Sequence, residues 1–250
     1  MRALYLLVIA AIFGLVIIFA AAIIFTSPAL VMAGGTGIPA GSVKYALDAP
    51  LPPPKYYTGI DVDTLKSGSN LTVIPLKSYR QQVTNYSCGA VAAMTVMSYY
   101  GSPPNNTDAD EIRVAHEIYE NVSEKTGLNP EQIVQWFRSN GWNATWGTGG
   151  SRAMLRKNLE NGIPTMVEWM DWGGHWVVVT GYDTRGTDTI WDDVIIFADS
   201  VDSHDDRVDG VTYFNYGEFD AMWFDAHYFP AGMNDRVWIV AVPGNATLPA

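Results

Sequence analysis

The hydrophobic period of this chain changes once, near Ile163, and that change restricts the fold more than any other feature. Before it, apolar residues recur at helical spacing. Residues 90–100 are apolar on almost every side, which predicts a buried helix stopped by Gly101. Residues 107–122 place Ile112, Ala115, Ile118 and Tyr119 on one helical face. Asn129-Pro130-Glu131 opens another helix with a cap, a proline at the first helical position and an acid at the positive end. That helix runs to about Asn140, and residues 151–161 form a further one closed by Gly162. After Ile163 the pattern is β-branched and aromatic: residues 164–169, 176–182, 194–198 and 237–242 predict strands split by turn residues. A short helix is expected over residues 216–224. A mostly helical first half followed by an antiparallel sheet is the α+β pattern.

A length of 250 residues accommodates one core of about 200 residues and an accessory segment. The accessory segment is amino-terminal. From Ala3 to Phe25 no residue is charged or strongly polar, and as a helix this stretch spans about 34 Å, enough to cross a hydrocarbon core. Arg2 precedes it and the next basic residue is Lys44, so the positive-inside rule places the amino terminus in the cytoplasm and the remainder outside. The rival reading is a cleaved signal peptide with a site near Val31-Met32-Ala33, although the apolar core is long for one. The organisation expected is a transmembrane anchor over residues 1–26, a Pro/Gly-rich tether over 27–56 and a globular domain over 57–250.

Formal charge is −11 at pH 7, which argues against nucleic acid and against anionic lipid heads as partners. A lone cysteine excludes an intrachain disulfide framework and a CxxC-type zinc site. Six Asn-x-Ser/Thr sequons begin at Asn70, Asn85, Asn105, Asn121, Asn143 and Asn245, an excess that points to an external, glycosylated domain. Asn85 lies too near Cys88 to carry a glycan comfortably if that cysteine is catalytic. The acidic run Asp199, Asp202, Asp205, Asp206, Asp209 lacks the spacing of a known calcium loop and reads as a solvated turn. No cofactor or metal is implied.

Chemistry concentrates in two stretches. In the first, Ser87 stands as N-cap and Cys88 falls in the first turn of the apolar helix, where free backbone N–H groups and the positive dipole end favour a thiolate. A thiolate is the nucleophilic form; the plain alternative is a small buried core residue. In the second, Gly173-Gly174-His175-Trp176-Val177-Val178-Val179 opens a strand on an imidazole, which can take a thiol proton and return it to a leaving amine. Asp199 closes the next strand, where a carboxylate can hold the other ring nitrogen; the alternative is a strand-end turn residue. Asp183 is a rival orienter, expected at the far end of the His175 strand. His116 reads as a surface histidine.

Together these stretches resemble the papain-like cysteine peptidases that process bacteriocin leaders at double glycines, including stand-alone members. The shared elements are Gln82 six residues before Cys88-Gly89, a helix closed by Tyr99-Tyr100-Gly101, the Gly174-His175-Trp176-Val177-Val178-Val179-Thr180-Gly181-Tyr182-Asp183 strand, and Asp199 one strand later. The likeness covers about residues 73–242. It implies a papain-like fold, with the nucleophile helix packed on an antiparallel sheet, and a peptide or protein substrate. It also implies roles: Cys88 as nucleophile, His175 as base and acid, Asp199 as orienter, and Gln82 donating to the oxyanion with the Cys88 backbone N–H.

Two features depart from the family pattern. Asp199 is followed by Ser200 where the family has proline, and residues 184–192 lengthen the hairpin between His175 and Asp199. No Walker-type segment follows, which favours a free-standing surface peptidase over an export-coupled one. Three functions are open at this level: a membrane-anchored extracellular thiol peptidase, a non-catalytic peptide-binding domain on the same fold, and an acyl transferase using the same triad.

Overall fold

The structure is a computed structural model and describes residues 62–202 and 208–248. The expected anchor (1–26) and tether (27–56) lie outside the described residues, as does the first part of the expected globular domain. Among the described residues no helix is long and apolar enough to cross a membrane.

The chain enters through a short strand β1 (Leu71–Val73) and a loop that leads to helix α1 (Cys88–Tyr99). Alanine, valine and methionine surround α1, with no charged residue, so it has no polar face to give to water and sinks into the core: Cys88 to Met97 are all buried. Gly101, at φ +74°, lets the chain turn away after it. Two amphipathic helices follow, α2 (Asp108–Ile118) and α3 (Pro130–Ser139). The Thr107 hydroxyl accepts from the Asp110 N–H to cap α2, and a reciprocal Asn129–Gln132 capping box with Pro130 inside the first turn starts α3.

Strand β2 (Trp142–Gly147) comes next, then α4 (Arg152–Glu160), β3 (Thr165–Trp169), β4 (His175–Asp183), β5 (Val194–Ala198), β6 (Val211–Asn215), α5 (Tyr216–Met222) and β7 (Trp238–Pro243). All pair antiparallel in one seven-stranded sheet of order β2-β7-β3-β4-β5-β6, with β1 paired to the distal half of β4. Strands β3, β4 and β5 are buried along their whole length because helices and loops cover both faces. Helix α1 packs across β4, which brings the start of the helix to the start of the strand. The result is the α+β architecture expected, with the long β4–β5 connection over residues 184–193.

Three differences from the sequence reading have physical causes. The first half is less helical than expected: β2 was missed, although Trp142 and Ala144 alternate with exposed Asn143 as a half-buried strand does. Strands β1 and β6 were missed as well. The buried face of α2 is Glu111, Val114, Ala115 and Ile118, while Ile112 is exposed. A buried glutamate takes the place assigned to isoleucine because its charge is met inside the protein, as described below.

Candidate active site

Ser87 precedes α1, but its hydroxyl does not cap the helix. It donates to Glu111 Oε1 at 2.5 Å and accepts from the Thr84 hydroxyl at 2.7 Å. Glu111 Oε1 also accepts the Val83 N–H at 2.8 Å, and Arg80 Nε lies 2.6 Å from Glu111 Oε2. A buried carboxylate paired with Arg80 thus gathers the loop that delivers Cys88. The expected role of Ser87 is corrected: it ties the loop to α2. The signal available in the sequence was an acid at helical spacing from Val114, Ala115 and Ile118 on an apolar stripe.

Cys88 begins α1 and His175 begins β4, both buried. The turn before β4 holds Trp172 at φ 54° and Gly173 at φ 99°; glycine relieves the second of these, and the non-glycine Trp172 bears the strain of the first. His175 Nε2 donates to Asp199 Oδ1 at 2.7 Å, which leaves the other ring nitrogen for the neighbouring Cys88 thiol. Asp199 follows β5 and has no exposed surface. Its Oδ1 accepts the Val201 N–H at 2.9 Å and its Oδ2 the Thr212 hydroxyl at 2.9 Å, so with His175 three donors hold the carboxylate in place.

The electrostatics follow from this geometry. Burial pushes His175 toward the neutral form, but Asp199, through charge and hydrogen bond, and then Cys88 outweigh it and lift the imidazole to about 10. Burial likewise opposes the charge on Asp199, and His175, the Val201 N–H and the Thr212 hydroxyl overcome it and hold the carboxyl well below the usual carboxylate range. The imidazolium–carboxylate pair is therefore the stable state at neutral pH. Trp169 packs against the ring at 5.4 Å, and the half-exposed Trp172 stands edge-on to it at 5.2 Å, between the pair and solvent.

Gln82 reaches the same region from the other side. Its backbone N–H donates to the Ser200 carbonyl at 3.0 Å, its Oε1 accepts the Ser200 hydroxyl at 2.7 Å, and its Nε2 donates to the Thr84 carbonyl at 2.7 Å. One amide hydrogen is spoken for and the second is not. Asp183 closes β4, eight residues from His175 and so about 26 Å along the strand, and its Oδ1 accepts the Arg185 N–H. It is no orienter of His175. His116 is exposed, as expected, and hydrogen-bonds the Glu120 carbonyl. Asp202 is buried and accepts the N–H groups of Asp209 and Gly210, a turn-forming role; Asp205 and Asp206 lie outside the described residues. All six sequon asparagines are exposed.

Beside Cys88 opens a small cleft walled by Tyr86, Leu128, Trp176, Tyr228 and Phe229, with Glu168, Gly174 and Asn85 also on its lining. Glu168 is a residue the sequence reading missed.

Residues 74–226, more than half of the chain, match the Peptidase_C39 like family. The chain belongs to that family. Membership of the family supports a peptidase-type function. A search of the curated proteins gives no match. Among solved structures, the chain is similar to the peptidase domain of Streptococcus ComA, a bi-functional ABC transporter involved in quorum sensing, at 18% identity over 66% of this chain and 96% of that one, TM-score 0.45. It is also similar to a double glycine motif protease from an AMS/PCAT transporter in complex with its leader peptide, at 16% identity over 70% and 99%, TM-score 0.42. A third is a putative C39-like peptidase from Bacillus anthracis, at 14% identity over 70% and 98%, TM-score 0.49.

Proposed function

We propose that this C39-like protein is a membrane-anchored thiol peptidase whose catalytic domain lies outside the cell. The observation that carries the reading is the buried His175–Asp199 hydrogen bond next to Cys88, which lies beside a pocket. Cys88 Sγ, its proton held on His175, attacks a substrate carbonyl. The Gln82 amide and the Cys88 backbone N–H receive the developing oxyanion, where preorganised donors act most strongly. His175, as imidazolium, then gives its proton to the leaving amine, and the acyl group stays on Sγ. Water, deprotonated by the now neutral His175, hydrolyses the thioester and restores the thiol. Asp199 keeps the ring oriented and stabilises its charge throughout. The uncharged Ala3–Phe25 stretch supports the anchor, and the five exposed sequon asparagines other than Asn85 support an external, glycosylated domain.

One experiment tests activity and placement together. Intact cells expressing the full chain are treated with a membrane-impermeant peptidyl acyloxymethyl ketone, beside a Cys88→Ala control. Labelling that depends on Cys88 is expected. Labelling only after lysis overturns the orientation. No labelling in either case, with the thiol still open to iodoacetamide, overturns the peptidase reading in favour of a binding domain.

A further inference from the structure

Glu168 sits on β3 opposite Trp176 and is 1% exposed, yet its Oε2 meets no donor. The Asp225 carboxyl stands against it, also buried, with Oδ1 taken by the Phe229 N–H at 2.6 Å. The two meet over Gly174. A side chain there would put a Cβ 2.0 Å from Glu168 Oε1 and 2.5 Å from Asp225 Oδ2, so only glycine leaves room for both oxygens. Two buried carboxyls crowded over one glycine cannot both hold a charge, so one of them carries a proton. Burial first, then Asp225 and the neighbouring Cys88, keep Glu168 protonated well above the usual range. Two buried acids held beside a nucleophilic thiol do nothing for the triad: a second negative charge there opposes the thiolate. Nor do they serve stability, since a buried acid pair without a counter-ion is costly.

We propose that Glu168, on the lining of the pocket beside Cys88, and Asp225, packed against it over Gly174, form a cation subsite, taking the ammonium or guanidinium group of a basic peptide substrate. The proposal rests on the peptidase reading for its substrate class. Tyr228, Trp176 and Phe229 line a path for an alkyl stem, and the Tyr228 ring lies against Gly174, beside the two carboxyls. At the rim, Asn85 holds the Glu124 carboxylate at 2.8 Å, a third negative group on the way in. A cation entering there displaces that proton to solvent and is met by two carboxylates. Only a basic substrate therefore compensates the acid pair, and its binding strengthens as pH rises, whereas a neutral substrate leaves the proton in place.

The test measures binding without turnover. The full chain carrying Cys88→Ala is titrated, by fluorescence polarisation, with a set of acetylated tetrapeptide amides. Each position in turn carries lysine, Nε-acetyl-lysine or norleucine; a norleucine peptide with a free α-amine separates a side-chain cation from a terminal one. At one position the lysine peptide, or else the free amine, is expected to bind at least about tenfold tighter than norleucine at pH 8, the low end for a close buried charge pair. Glu168→Gln and Asp225→Asn, each checked for an unchanged melting transition, are expected to abolish the ratio, and pH 5.5 to shrink it. Equal binding at every position, a preference that survives both substitutions, or no binding at all overturns the subsite. Preference without turnover by the wild-type chain keeps the subsite and sinks the peptidase reading; turnover without preference does the reverse.

Discussion

Asp199→Asn isolates charge from shape. Asparagine is isosteric; its carbonyl can still accept from His175 Nε2 and the Val201 N–H, and its NH₂ group can donate to the Thr212 oxygen, so the ring stays where it is. What is lost is the anion. His175 stands at about 10 against an ordinary 6.5, a gap equivalent to about 5 kcal/mol in favour of the imidazolium. With burial opposing the charge and Asp199 its chief support, the variant is expected to titrate at or below 6.5. The assay is ¹³Cε1 NMR of labelled histidine, with the His175 signal assigned by its absence in His175→Gln, alongside chemical denaturation from pH 5 to 10. The sign for stability follows: a group raised on folding contributes fully below its unfolded value and loses that contribution as pH rises through the folded one. The variant is therefore less stable by no more than about 5 kcal/mol near pH 6, and the deficit closes toward pH 10. Asp183→Asn, at the other end of β4, leaves the His175 titration unchanged. A midpoint in Asp199→Asn within one pH unit of wild type would show that Asp199 is not what holds the charge, and the argument for the triad would fall with it.

Gln82→Ala is expected to lower turnover by about 10²–10³ with little change in KM, because the oxyanion carries full charge only in the transition state; Gln81→Ala is the control, and equal losses in the two refute the role. Arg80→Ala leaves Glu111 buried without its counter-ion and is expected to cost about 3–5 kcal/mol in chemical denaturation. The double variant with Glu111→Gln recovers part of that loss, and a cost for Arg80→Ala below about 1 kcal/mol would show that the pair does not hold the loop.

The order of elements was legible because it depends on period alone: α1, α3 and α4 and strands β3, β4, β5 and β7 lie where apolar spacing and caps put them. The strands that escaped are those whose pattern is short or diluted. β1 has three residues, and β2 separates its tryptophans with asparagine, alanine and threonine, so its identity as a strand depends on β7, nearly a hundred residues later. In the site, Cys88, His175 and Asp199 were legible as residue types at element starts and ends. Glu111, Glu168 and Asp225 were not, because a buried acid differs from an exposed one only in what surrounds it. On α2 the pairing with Arg80 moves the buried face by one residue; on β3 the missing Cβ of Gly174 makes the space. The first contact joins residues far apart in sequence, and the second depends on how the β3–β4 turn folds back.

The serine that departs from the family's Asp-Pro pattern binds the two halves of the site to each other. Ser200 follows Asp199 directly, so whatever fixes one fixes the other. Its carbonyl accepts the Gln82 N–H and its hydroxyl donates to Gln82 Oε1. Proline would keep the first of these contacts and lose the second. With Nε2 also tied to the Thr84 carbonyl, the amide plane is held from three sides, and Thr84 passes the constraint through Ser87 to Glu111 and Arg80. The loop before Cys88 is thus fixed at one end by the strand that carries the orienting carboxylate and at the other by a buried ion pair. A donor held this way needs no reorganisation when negative charge develops nearby, which is the condition under which an amide contributes most to a transition state. The substitution of Ser200 for proline strengthens the case for Gln82 as a participant, because a loop amide with only a structural part needs no second anchor beside the catalytic carboxylate.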